Sequence, residues 1–269
     1  MSVEKSLLGK DTQYPTHYQP EILFPIERAP SRETYAQIEQ QGCDWWHVFE
    51  LSWLNMSGIP QVAIGRLCLP ANSPYLIESK SLKLYFNSLN FTQFESKDAL
   101  KTLVEKDLSE AAKASVTLTL LDANHLEVVQ PQGQCLDKLE PKQLSSHPNA
   151  SLLQLSDDRS IIETQYYSNL LRSNCPVTGQ PDWGTVFIHY KGQKICEESL
   201  LAYIISFREH NGFHEQCVEQ MYADLYHSFK PEKLMVYAAY TRRGGLDINP
   251  CRVSDPSLIP TQPVRLARQ

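Results

Sequence analysis

Four segments of this chain hold residue types that could do chemistry. The first is SNCPVTGQPDWG, residues 173–184. Cys175 lies among turn formers, with Pro176, Gly179 and Pro181 close behind, and Asp182 follows beside Trp183. A thiol on a loop is presented to solvent or ligand, unlike Cys217 on a helix or Cys68 in a strand. Only the thiolate is a good nucleophile, and an ordinary thiol with a pKa of about 8.5 is ionised to a few per cent at neutral pH. A working Cys175 therefore needs an activating neighbour, and Asp182 is a candidate for that role or for carrying a proton. The plainer alternatives are a small core cysteine and an aspartate that closes a turn.

The second segment, ESKSLKLYFNSLN (78–90), interrupts a strand-forming run with Glu78, Lys80 and Lys83 and adds Ser79, Ser81 and Asn87. It reads either as an edge strand whose charges prevent aggregation, or as a strand end offering a carboxylate to a ligand's N–H groups and cations to phosphates. The third, NGFHEQC (211–217), puts His214 and Glu215 where a helix begins. Glu215 either complements the positive end of that helix or joins His214 at the edge of a site. In the fourth, TRRGGLDINP (241–250), Arg242 and Arg243 precede two glycines. That pattern suits an anion, held by charge and exposed backbone N–H groups, or a solvated basic turn. The chain has no G-x-G-x-x-G, no phosphate-binding G-x-x-x-x-G-K-[ST], no H-E-x-x-H and no G-x-S-x-G.

The elements that must position these groups follow from periodicity. Prolines at 15, 20, 25 and 30 make residues 1–37 an extended arm, neither sheet nor helix. Residues 47–54 and 61–70 read as a hairpin, 81–89 as a third strand, 95–112 as a helix with Leu100, Leu103, Val104 and Leu108 on one face, and 114–122 as a strand. Residues 126–160 are a polar connector. Residues 183–195 give a hairpin signal with Lys191-Gly192 at its turn. Two helices, 197–210 and 214–229, are separated by Asn211-Gly212, and 233–243 is a strand. The halves thus form a loose internal repeat. The predicted organisation is an arm (1–37), a first α+β module (38–125), a connector (126–160) and a second module (161–269) carrying Cys175.

Composition narrows the function. The chain has 269 residues, 42% hydrophobic and 21% charged, with 25 Lys and Arg against 31 Asp and Glu. A net charge of −6 argues against nonspecific nucleic-acid binding. No apolar stretch approaches the ~18 residues of a membrane span, and residues 1–13 carry no signal core. Seven cysteines, none in a C-x-x-C pair, predict reduced thiols in a cytoplasm. No role beyond packing is readable for Cys68, Cys196, Cys217 or Cys251.

Taken together, ESKSLKLY, SNCPVTGQPDWG, FHEQCVE and YTRRGGLDINP resemble the nitrile reductases of queuosine biosynthesis, the QueF family, in its long two-module form. The likeness runs from about Trp45 to about Arg252 and includes ELSWLN. It implies an α+β fold of two tandem T-fold modules, antiparallel sheets with helices packed on one face. It implies NADPH-dependent reduction of 7-cyano-7-deazaguanine to 7-aminomethyl-7-deazaguanine, a step toward tRNA modification, consuming two NADPH through a covalent thioimide on Cys175 with Asp182 as general acid. By the same likeness, Ile77, Glu78, Ser79, His214 and Glu215 bind the deazaguanine, and Ser79, Lys80, Arg243 and Gly244 hold NADPH; Lys83 and Arg242 add contacts by charge alone. No metal is expected. The expected partner is a small deazapurine, with no direct nucleic acid and no membrane, and the likeness suggests a homodimer. Two rival readings are a zinc-dependent T-fold hydrolase using Cys and His ligands, for which no third ligand has a suitable spacing, and a non-catalytic purine-binding protein, which leaves Cys175 and Asp182 without a role.

Overall fold

A computed structural model of the chain describes residues 14–35, 37–39, 41–124 and 126–269. The readings made on residues 1–13 lie outside the described residues. The chain divides into two compact units, and it passes between them several times. The first unit collects residues through Thr34, Asp44–Glu127 and Arg242–Ile248; the second collects Tyr35–Cys43, Val128–Thr241 and Asn249–Gln269.

The first unit contains β1 (Pro25–Glu27), α1 (Ala29–Arg32), β2 (Gln41–Leu54, from Asp44 onward), β3 (Pro60–Pro70), β4 (Tyr75–Ile77), α2 (Ser79–Ser88), α3 (Lys97–Ala112) and β5 (Thr117–Leu121). β3 lies beside β2 and pairs antiparallel with β5, Leu67 opposite Leu118. Strand residues Trp46, Val48, Leu51 and Leu67 share one core with Leu82, Tyr85 and Phe86 of α2 and Leu100, Val104 and Leu108 of α3. The i, i+4 spacing of the α3 trio puts them on one face, where all three are fully buried. Ser96 starts that helix, its hydroxyl accepting from Ala99 N at 3.1 Å, a cap worth about 1 kcal/mol.

Two expectations fail here. The run 81–89 is not a third strand but most of α2. Its L-x-L alternation imitates a strand. Lys80, Lys83 and Asn87, at helical spacing, stay half-exposed while Leu82, Leu84, Tyr85 and Phe86 are buried. The edge-strand reading of ESKS falls with it. The arm is not free of sheet or helix either. Among its described residues β1 pairs antiparallel with β4, Pro25 opposite Ile77. The prolines occupy places that need no N–H: Pro20 opens a 3-10 turn, Pro25 begins β1 and Pro30 sits in the first turn of α1.

The second unit contains β6 (Gln134–Cys135), β7 (Ile161–Asn174), β8 (Pro181–Gln193), α4 (Glu197–Ile205), α5 (His214–Phe229), β9 (Lys233–Tyr240) and β10 (Leu246–Val253, from Asn249 onward). The order is β10-β9-β8-β7-β6, antiparallel except for β6 beside β7. Val186, Ile188 and Val236 of the sheet pack with Leu200, Tyr203, Val218, Met221 and Leu225 of the helices. Leu136 and Leu153, from the 126–160 stretch, join this core. α5 begins and ends where its sequence predicts, stopping at Lys230 in a left-handed conformation before Pro231.

The expected hairpin at 183–195 is one continuous strand. Gly192 is in ladder register with Ile162 and makes no turn. A Cβ there would meet the Tyr190 hydroxyl at 2.6 Å, so glycine makes room for that ring. β7 and β10 carried no strand prediction. In β7 the alternation is broken by a register shift between Ser168 and Leu171. Both units run strand, strand, helix, helix, strand, with an antiparallel sheet and helices on its core face: the tandem T-fold arrangement.

Candidate functional site

The β7–β8 turn builds the first cluster, within the second unit. Asn174 opposite Pro181 is the last register pair. Beyond it, Cys175 N donates to Gln180 O at 2.9 Å and Gly179 N donates to Cys175 O at 3.0 Å. Gly179 takes φ +66°, which closes the turn. The turn is also tied from outside: Asn174 N donates to His210 O at 2.8 Å, and Gly212 N donates to Asn174 O at 3.1 Å. This clamp explains a correction. Cys175 lies on a loop, as predicted, yet it is only 7% exposed.

The pleat fixes which side chains share a face. Ser173 is opposite Asp182, and Cys175 is two residues beyond Ser173; Gly184, two beyond Asp182, is opposite Tyr240. Ser173, Asp182, Gly184 and Tyr240 therefore lie on one face, with Cys175 continuing the same alternation. The first turn of α5 meets this face. His214 Nε2 is 3.3 Å from Asp182 Oδ1. The pair is within electrostatic range, although Nε2 forms no well-oriented hydrogen bond. Asp182 thus sits against the first turn of a 16-residue helix. The side chain of Gln216 accepts from Phe213 N at 3.1 Å and closes the helix start. His214 and Glu215 are both buried in that first turn.

Behind them lies a polar cluster that periodicity did not reveal: the Ser173 hydroxyl, the Cys217 thiol and the Tyr240 hydroxyl, whose mutual contacts fall short of well-formed hydrogen bonds. Burial pushes the Cys217 thiol up to about 12 and holds the Tyr240 phenol well above its ordinary value. Both stay protonated, so Cys217 is an inert neighbour of the turn that carries Cys175. Only the strand register brings Ser173 and Tyr240 here.

The second cluster belongs to the first unit. Ile77 ends β4 and packs its side chain in the core, which leaves only its backbone for a ligand. Glu78 follows and caps α2. Its carboxylate accepts from Lys80 N at 2.5 Å and from Ser81 N at 2.8 Å, with the Ser79 hydroxyl at 3.4 Å. The predicted strand-end carboxylate is therefore a strand-to-helix junction. Burial raises the Glu78 pKa above its usual 4.5, against the lowering effect of those backbone N–H groups. A carboxylate has about four lone-pair sites, so capping leaves capacity for a ligand's donors. Ser79 and Lys80, the next two residues, are half-exposed at the helix start.

Arg243 and Leu246 close a tight turn, exchanging N–H···O bonds of 2.8 and 3.2 Å around Gly244 and Gly245, at φ +57° and +78°. A Cβ on Gly244 would stand 2.8 Å from Lys83 Nζ. The Lys83 side chain fills the room left at Gly244, and the Glu50 side chain fills the room left at Gly245, where a Cβ would meet its carboxyl carbon at 2.5 Å. Arg242 is exposed and stacks over Phe49 at 5.1 Å. Asp247 is structural: it accepts from His47 N at 3.0 Å and sits 2.9 Å from His47 Nδ1. Among the described residues no group of three or more His, Cys, Asp or Glu side chains is placed to hold a metal ion, and no helix is long and apolar enough to cross a membrane.

Known proteins resemble the chain throughout its length. A family model described as the N-terminal part of the nitrile reductase 7-cyano-7-deazaguanine reductase matches residues 14–120, and a QueF-like protein model matches residues 181–257. An NADPH-dependent 7-cyano-7-deazaguanine reductase of Acinetobacter baumannii is 69% identical over 271 residues, covering 100% of both chains. Proteins of the same name from Acinetobacter baylyi and Psychrobacter cryohalolentis are 68% and 51% identical, again over 100% of both chains. The chain belongs to the 7-cyano-7-deazaguanine reductase family, the QueF nitrile reductases.

Proposed function

We propose that the protein reduces the nitrile of 7-cyano-7-deazaguanine to the primary amine with two NADPH, through a thioimide on Cys175. The observation that carries this reading is the face shared by the β7–β8 turn and the start of α5: a thiol at the turn, and a buried carboxylate 3.3 Å from an imidazole. A nitrile carbon is electrophilic but accepts hydride poorly. Addition of Cys175 Sγ to it splits one hard step into easier ones. The S–C bond forms, one π pair moves to nitrogen, and Asp182 takes the proton that the thiol loses and passes it to that nitrogen, ending as it began. The sulfur leaves again when the reduced adduct collapses to an imine. Asp182 needs no reorganisation to do this, because the ladder pairing with Ser173 and the first turn of α5 hold it in place.

Bound NADPH supplies hydride, two equivalents per nitrile. Ser79, Lys80, Arg243 and Gly244 hold that cofactor, with Lys83 beside Gly244. Glu78 accepts from the ring N–H and exocyclic amine of the deazaguanine; Ile77, Ser79, His214 and Glu215 are the other residues assigned to the base. A buried carboxylate that needs both donors rejects bases lacking them. The substrate is a small base and not tRNA, in keeping with the net charge of −6. We place the enzyme in the cytoplasm as a homodimer.

The test is the loss of NADPH absorbance when the cyano base is added. Two equivalents oxidised per base, and an adduct on the wild-type protein by mass spectrometry without NADPH, are expected. Tight binding of the base with no NADPH oxidation would reduce the protein to a binding module.

A further inference from the structure

We infer that Tyr240, seated in the space left by Gly184, is a positioning residue that sets the plane of the His214 imidazole; the inference rests on the nitrile-reductase reading. Four observations carry it. The rings of Tyr240 and His214 stand 4.0 Å apart at 37°, closer than other ring pairs of this unit such as Tyr203–Phe207 at 5.5 Å. His214 Nε2 has no well-formed hydrogen bond, so the Asp182 contact alone does not orient the ring. Packing against a flat wall does.

The wall is itself held. Tyr240 is fully buried at the end of β9, opposite Gly184 in the ladder. A Cβ at Gly184 would come 3.1 Å from Tyr240 Cδ1 and 3.3 Å from Cε1, tighter than ordinary contact. Gly184 has no left-handed φ among the positions that do, so its conformation does not call for glycine; the space does. The Gly of the PDWG segment is thereby explained by a ring 56 positions away in its own unit. Finally, the wall is neutral. Beside the Tyr240 hydroxyl lie a serine hydroxyl and a protonated thiol, so it offers the imidazole a flat, uncharged face.

The consequence is a graded effect on substrate capture. Tyr240→Leu removes the flat wall and is expected to raise KM for the cyano base about 10-fold, with kcat changed less, since His214 binds the base and a small misplacement is costly. Tyr240→Phe keeps the ring and is expected to restore KM to within about 2-fold of wild type. Gly184→Ala crowds the ring from the other side and is expected to move KM in the same direction as Tyr240→Leu. Circular dichroism and thermal melts identify variants that fold. A second readout needs no turnover: the imidazole C–H NMR signals of His214, assigned from His214→Ala, shift in Tyr240→Leu as the ring current is lost and hold in Tyr240→Phe. Unchanged KM in folded Tyr240→Leu and Gly184→Ala, or His214 signals indifferent to Tyr240→Leu, would overturn the inference. If wild type oxidises no NADPH and takes up no base, the proposed function fails, while the NMR arm still decides whether Tyr240 holds His214.

Discussion

The two units close their first hairpins with the same device and put different residues into it. β2 and β7 are each 14 residues long. The last residue of β2, Leu54, is bridged to the loop between α2 and α3: Leu54 N donates to Thr92 O and Phe94 N donates to Leu54 O, both at 2.9 Å. Asn174, the last residue of β7, makes the matching pair of bonds to His210 and Gly212. The next residue is Asn55 in one unit and Cys175 in the other. Asn55 spends its side chain on its own turn, Oδ1 accepting from Ser57 N at 3.0 Å and Ile59 N at 2.9 Å. The Cys175 turn closes through backbone bonds and one long bond from Gln180 N to the Thr178 hydroxyl at 3.4 Å, and its thiol takes no part in closing it. The second helices differ likewise. Ser96 caps α3 with its hydroxyl, whereas Phe213 has no capping group and α5 opens with His214 and Glu215. A repeated scaffold thus spends the side chain that follows its first long strand on the turn in one copy and leaves it unspent in the other.

The comparison can be broken most directly at the thiol. Cys175→Ala is expected to lower NADPH oxidation by at least about 10³-fold and to abolish the covalent adduct. Adding Asn55→Cys in that background should restore neither, because the described residues of the first unit pair no buried acid with an imidazole at that turn; an adduct on the double variant would show that the turn alone suffices. Asp182→Asn keeps the shape and removes the proton donor. Its kcat should fall by about 10²-fold or more, while a change confined to KM would move Asp182 from chemistry to binding.

Glu78 sharpens the contrast, because it caps α2 and is also the proposed acceptor for the base's donors. Because burial raises its pKa, the carboxylate is protonated at pH values where a free glutamate is ionised. Affinity for the base should therefore decline on acidification starting above pH 4.5. Glu78→Gln should bind about 10-fold more weakly at neutral pH and lose that acid limb, which titration calorimetry across pH would read. The smallest effect belongs to the other unit: Asn55→Ala should cost about 1 kcal/mol in thermal stability, as losses of local side-chain-to-backbone caps do, with NADPH oxidation unaltered.

Local signals account for much of the fold. α3 and α5 are legible because apolar residues recur at helical spacing, and α5 also because Asn211-Gly212 and Pro231 bound it. α2 was misread because Leu82 and Leu84 flank Lys83 in a strand-like alternation, and the deciding feature, Glu78 bonding to two N–H groups of the next turn, is a three-dimensional event. Gly192 looked like a turn and is room for Tyr190. β7 and β10 escaped because a register shift and a wholly buried strand both erase alternation.

At the site, residue types and their neighbours in sequence were enough to single out Cys175, Asp182, Glu78, His214 and the glycine pair, since reactive and anion-binding groups stand out against turn formers. Their environment was not available that way. That Cys175 is nearly buried, that Asp182 faces His214, and that Tyr240 backs that imidazole over Gly184 all depend on strand register and on where α5 begins. Distances between side chains remote along the chain are set by packing, which has no local signature.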